Sequence, residues 1–123
     1  MPAVEVELTK EYRFEAAHRL PRVPAGHKCQ RLHGHSYKVE LVVRGPVDPD
    51  TGWLIDFGVM DDAWGEMHGR LDHQNLNDVP GLENSTCENI AIYLWRALRP
   101  QIAVLDAVTV WETSDSKCTY RGA

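Results

Sequence analysis

His18, His33 and His35 are the residues of this sequence whose type and spacing could carry the most chemistry. A His-x-His pair with a third, distant histidine can give three nitrogens to a catalytic zinc ion and leave a fourth position for water or substrate. Strand parity brings the three to one place. Val4, Val6, Leu8, Tyr12, Phe14 and Ala16 share an alternating face that leads out to His18, while Val43, Leu41, Val39 and Tyr37 lead back to His35 and His33. If the two segments pair antiparallel, all three imidazoles project from the apolar side of a sheet, where polar groups are costly unless something binds them. Any one of them alone reads as a hydrogen-bonding residue at a strand end; the three together read as a metal centre. His27 and His68 have no such support and read as a loop residue and a solvated helix residue.

Cys29 lies between the first and second histidine groups, so a metal site built from them would bring it near. His27, Lys28 and Arg31 surround it with positive or potentially positive charge, which favours a thiolate suited to proton abstraction or nucleophilic attack. Without those neighbours it would read equally well as an inert loop thiol. Asp72-His73 places a carboxylate beside an imidazole, an arrangement that fixes the ring tautomer and raises its basicity, though its value depends on meeting Cys29 in space. Glu112 shares a strand face with Val108 and Val110. A carboxylate there either turns to solvent at the strand end or binds a ligand with an amidine or guanidine edge.

The elements that must position these groups follow from periodicity. Alternation predicts a first strand over Val4 to Phe14, running on to His18, and a second from His35 to Arg44, with a proline- and glycine-bearing loop over Pro21 to Leu32 between them. The turn formers from Gly45 to Gly52 end the second strand. Met60, Trp64, Met67 and Leu71 fall at helical spacing behind Asp56, and Ser85-x-x-Glu88 reads as a capping box for a second helix bearing Ile90, Leu94, Ala97 and Leu98. Val108, Val110 and Glu112 alternate in a third strand, and Ser114 to Lys117 turns into a short fourth. The order β-β-α-α-β-β predicts an α+β fold: an antiparallel four-stranded sheet with both helices on one face.

The 123 residues, 43% hydrophobic and 25% charged, suit one folded domain over 1–123. A net charge of −5 is the wrong sign for gripping nucleic acid. No apolar run approaches the ~20 residues of a membrane span, and the expectation is a soluble, cytoplasmic protein. Cys29, Cys87 and Cys118 are odd in number and scattered, which argues against a disulfide framework or a thiolate zinc cluster.

Phe14-Glu15-Ala16-Ala17-His18-Arg19-Leu20, Cys29-x-x-x-His33-Gly34-His35, Leu71-Asp72-His73-x-x-Leu76-Asn77, Ser85-Thr86-Cys87-Glu88-Asn89 and Trp111-Glu112-Thr113 together resemble the 6-pyruvoyltetrahydropterin synthase superfamily. Gly26-His27-Lys28-Cys29, the three-residue gap to His33, Gly52-Trp53-Leu54-Ile55-Asp56-Phe57 and Cys118-x-Tyr120-Arg121-Gly122 are most similar to its bacterial branch, which forms 6-carboxytetrahydropterin in queuosine biosynthesis.

The resemblance implies a tunnelling fold assembled as a homohexamer of two trimers, with active sites between subunits. It implies zinc on His18, His33 and His35, Cys29 as proton acceptor, Asp72 and His73 as its relay, Glu112 as pterin anchor and part of the relay, and Thr86 and Glu88 in the pterin pocket. The implied substrate is 7,8-dihydroneopterin triphosphate, for whose triphosphate Lys28 and Arg31 are candidates by charge. The rival expectations are loss of triphosphate with the side chain kept, as in pyruvoyl synthases, and a non-catalytic zinc- or pterin-binding protein. Cys87 departs from the family's usual Ser or Thr and would donate a weaker hydrogen bond to a pterin.

Overall fold

The computed structural model describes residues 4–122. Strands β1 (Glu5–His18) and β2 (His33–Pro46) form a long antiparallel hairpin whose register runs from Glu5 opposite Pro46 to His18 opposite His33. Phe14, Ala16 and His18 of β1 and Tyr37, Val39, Leu41 and Val43 of β2 are buried on one face, as their alternation requires. Between the strands, Lys28–Gln30 makes one turn of 3-10 helix.

Helix α1 (Phe57–Leu71) starts where the Asp56 carboxylate accepts a hydrogen bond from the Gly58 amide at 2.8 Å. It buries Met60, Ala63, Trp64, Met67 and Leu71, a stripe at three- and four-residue steps, and packs on β1. Helix α2 (Cys87–Leu98) buries Ile90, Ala91, Leu94 and Leu98 and packs on β4 (Leu105–Thr113) and β5 (Ser116–Tyr120). The core lies between this helical layer and the sheet, and the opposite sheet face carries no helix.

Two details differ from the sequence expectation. The sheet has five strands, because Gln74–Asn75 pairs parallel to Ala16 and Ala17 as β3, giving the order β3-β1-β2-β4-β5. Two residues carry no alternation, and what holds them is the clamp just before them, described below. The α2 cap also sits one residue later than the Ser85-x-x-Glu88 pattern suggests. Thr86 is the N-cap, its hydroxyl oxygen accepting from the Asn89 amide at 3.1 Å. Ser85 is instead fully buried against His18, which removes it from capping.

Candidate active site

The end of the β1–β2 hairpin places His18 directly opposite His33, with His35 two residues further along the same face. Each offers a ring nitrogen, and these atoms lie within 4.8 Å of one another. His18 Nδ1–H donates to the Ser85 carbonyl and His33 Nδ1–H to the Arg31 carbonyl, each at 2.8 Å. Such backbone acceptors fix the tautomer and leave Nε2 with a free lone pair, the usual outer-shell arrangement for a ligating histidine. His35 Nε2 is buried and has no hydrogen-bond partner. Burial pushes the His18 and His35 imidazoles below their ordinary value, holding them in the neutral form that binds metals. Buried polar atoms are rarely left unpaired, so the donor set fits a metal ion held by three imidazoles.

Tyr37 forms the floor of the cluster. Its hydroxyl lies 3.3 Å from both ring nitrogens of His18, and burial raises its ionisation well beyond the usual range, so it remains a phenol. The sequence pattern marks Tyr37 only as an apolar strand position and Ser85 only as a cap. The signal available is Tyr37's place two residues beyond His35 on the same face, where a buried hydroxyl needs a partner.

Glu112 reaches this centre through a break in the sheet. Trp111 pairs with Lys117 and Thr113 with Ser116, so Glu112 is the extra residue of a β-bulge. Its Oε1 lies 3.4 Å from His35 Nε2. Glu112 also lines a cavity of about 500 Å³ together with Leu20, Thr86, Cys87, Glu88 and Cys118. The carboxylates and the Thr86 hydroxyl proton, free because the oxygen alone serves the cap, can meet a polar heterocycle there. Cys87 donates its thiol to the Val110 carbonyl at 3.2 Å, and burial pushes that thiol up to about 12.

Cys29 occupies the 3-10 turn after His27, whose Nδ1 accepts the Cys29 amide at 3.1 Å. The Cys29 carbonyl accepts from the Leu20 amide at 2.7 Å, which ties its loop to a residue lining the cavity. His27 therefore positions the loop, a role its sequence context did not suggest. Asn77 secures the same segment by donating to the carbonyls of Arg19 and Glu83 at 2.8 and 3.0 Å. Lys28 and Arg31 are exposed beside Cys29.

Asp72 and His73 form a pair at the other edge of β1. One Asp72 oxygen accepts the Glu15 amide at 2.9 Å, and the other accepts His73 Nδ1–H at 2.7 Å. These two bonds hold the Asp72 carboxyl below the usual carboxylate range. His73 adopts φ 58°, the left-handed region uncommon for a residue with a side chain, and its amide donates to the Glu15 carbonyl, which seats β3 against β1. Its ring is 79% exposed and lines a cavity with Glu15, Ala17, Gly34 and Ser36 on the helix-free face. Among the described residues no hydrogen bond or ion pair joins Cys29 to Asp72 or His73.

An α+β sheet with two helices on one face and a histidine cluster at the end of its long hairpin defines a T-fold enzyme of pterin chemistry once it is set beside known proteins. The chain belongs to the 6-pyruvoyl tetrahydropterin synthase family, whose sequence description matches residues 7–123. It is 38% identical to the 6-carboxy-5,6,7,8-tetrahydropterin synthase of Synechocystis sp., over 90% of this chain and 89% of that protein. It is 37% identical to the 6-pyruvoyl tetrahydrobiopterin synthase of Drosophila melanogaster, over 94% of this chain and 79% of that protein. The solved 6-pyruvoyl tetrahydropterin synthase of Caenorhabditis elegans superposes with a TM-score of 0.92 at 31% identity, each chain covered in full. The chain is thus a tetrahydropterin synthase of this family. Among the described residues no helix is long and apolar enough to cross a membrane.

Proposed function

We propose that the protein converts 7,8-dihydroneopterin triphosphate and one water to 6-carboxy-5,6,7,8-tetrahydropterin, acetaldehyde and triphosphate, a step towards queuosine. The observation that carries the reading is the three-histidine cluster with its unpartnered His35 Nε2 beside Glu112, at the wall of a cavity lined by Thr86 and Glu88. The choice of the carboxy product is supported by Gly26-His27-Lys28-Cys29 with three residues before His33, and by the Synechocystis relative.

His18, His33 and His35 would hold zinc, which when bound supplies Lewis-acid polarisation of the substrate's side-chain oxygens. The Glu112 carboxylate binds the amino and ring N–H edge of the pterin as paired charge-assisted hydrogen bonds, with Thr86 and Glu88 completing that edge. So held, the side chain presents a C–H made acidic by the adjacent oxygens, and the Cys29 thiolate removes that proton. Asp72 holds the Nδ1–H of His73, so proton exchange falls to Nε2, which returns protons to the product side. Lys28 and Arg31 lie on the Cys29 loop as cationic contacts for the triphosphate.

The separation of the Asp72–His73 pair from the Cys29 loop supports a site completed between chains, in a homohexamer of two trimers of this single domain. The protein acts in the cytoplasm on a small molecule, without a nucleic-acid or membrane partner.

Incubation with dihydroneopterin triphosphate tests the reading: acetaldehyde and the carboxy product are expected in equal amounts. A pyruvoyl product without acetaldehyde would establish instead the reaction named for the Drosophila relative, a reading favoured by its comparable identity. Zinc or pterin binding with no turnover would leave a binding protein.

A further inference from the structure

The helix-free face of the sheet carries a row of cations that has no part in the pterin and metal roles given above. Arg13 pairs in register with Lys38, Lys38 with Trp111, and Trp111 with Lys117, so four side chains form a single row across β1, β2, β4 and β5. Neighbouring strands lie ~4.8 Å apart, and like charges set directly opposite each other, as Arg13 and Lys38 are, destabilise a sheet. The row concentrates three cations in a chain of net charge −5.

Trp111 organises the lysines. The Lys38 ammonium lies 4.6 Å and the Lys117 ammonium 4.7 Å from the centre of its ring, both within cation–π range. The Trp111 indole N–H donates to Glu40 at 3.2 Å, which fixes the ring. Lys38 has carboxylates of Glu11 and Glu40 at 3.8 Å, whereas among the described residues Arg13 and Lys117 form no ion pair. Arg13, Lys38 and Trp111 line a cavity of about 510 Å³ whose wall continues to His35 and Glu112. Arg13 thus shares a cavity with His35 and Glu112, while Lys117 lines the neighbouring cavity with Thr86, Glu88 and Glu112, so the two free cations flank Glu112 from either side.

We infer that the Arg13–Lys38–Trp111–Lys117 row is a polyphosphate-binding site that seats the anionic tail of the substrate. The inference rests on the pterin triphosphate reading above. A polyphosphate chain supplies the closely spaced negative oxygens that Arg13 and Lys117 lack within their own chain, and Arg13 contributes a planar fork suited to phosphate. Arg13 is then a specificity-determining residue, separating the triphosphate from its dephosphorylated alcohol.

Inorganic tripolyphosphate is the probe, titrated calorimetrically into the intact zinc-loaded protein at low and moderate salt. The wild type should bind it, more weakly as salt screens the exposed charges. Arg13→Ala and Lys117→Ala, both at exposed positions, should each weaken binding about tenfold, the scale of one charge-assisted hydrogen bond. Lys10→Ala, which removes the same charge away from the row, should change it less than twofold. With the pterin triphosphate, Arg13→Ala should raise KM and leave kcat within a few fold. No binding by the wild type, binding by the two row variants equal to that of the wild type, or an equal loss in Lys10→Ala would overturn the site. So would loss confined to Arg31→Ala. Row-dependent tripolyphosphate binding in a protein that fails to process the pterin would sustain the anion site and remove the proposed reaction.

Discussion

Glu112 Oε1 stands 3.4 Å from His35 Nε2, although their strands pair only as far as Lys38 and Trp111. The contact exists because a bulge frees Glu112 from the β5 ladder at the point where β4 passes the histidines. It joins the three-histidine cluster to the cavity lined by Thr86 and Glu88 through one carboxylate.

Glu112→Gln keeps the shape of that side chain and removes its charge. The expected result is a roughly 10- to 100-fold loss in kcat/KM, the scale of one charge-assisted hydrogen bond, with zinc content unchanged by metal analysis. Loss of zinc would instead make Glu112 part of the metal's holding group.

Metal analysis should find one zinc per chain, lost on replacing His18, His33 or His35 by Ala. Chelation should lower the thermal midpoint, since an ion bound only by the folded chain adds about 4 kcal/mol at 1,000 times its Kd. An unchanged midpoint together with zinc-free protein would remove the metal centre.

Cys29→Ala and His73→Ala should each cut turnover by roughly 10^2- to 10^4-fold with zinc retained. If sites are completed between chains, unfolding and reassembling the two inactive variants together should restore part of the activity, because some mixed sites carry both native groups. Absence of any recovery in verified mixed oligomers would place both groups in one chain's site.

Asp72 gives a pH dependence whose sign is fixed. Its folded value is depressed below the ordinary 3.8 by the Glu15 amide and His73, so the unfolded chain binds more protons between the two values. The stabilisation is full above the ordinary value and is lost as pH falls through the folded one. Urea midpoints of wild type and Asp72→Asn should therefore differ at pH 7 and draw together as pH falls below the ordinary 3.8.

Alkylation at pH 8 should mark Cys29 ahead of Cys87 and Cys118. Burial pushes Cys87 up to about 12 and raises Cys118 as well, so both remain thiols at that pH. Peptide mapping after brief iodoacetamide treatment reads the order directly.

The histidine cluster and the hairpin beneath it were legible because alternation from Val4 to His18 and from Val43 back to His33 sets a face, and antiparallel pairing brings the ends together. The α1 start at Asp56 was legible for the same local reason, a side chain capping its own helix. Ser85 was not, because its burial against His18 is a contact across 67 residues that no local cap pattern encodes. β3 escaped for a similar reason: the Asp72–Glu15 bond that seats it is long-range. The cationic row required the pairing of Arg13, Lys38, Trp111 and Lys117, four residues scattered in sequence and aligned only by register.

The left-handed backbone of His73 sets stability against the proton-transfer role proposed for that residue. An L-residue there costs roughly 1 kcal/mol that glycine would not incur. Selection for thermal robustness alone would drift towards glycine at this place and discard the imidazole, so persistence of the histidine in a population would itself report that the reaction is under selection.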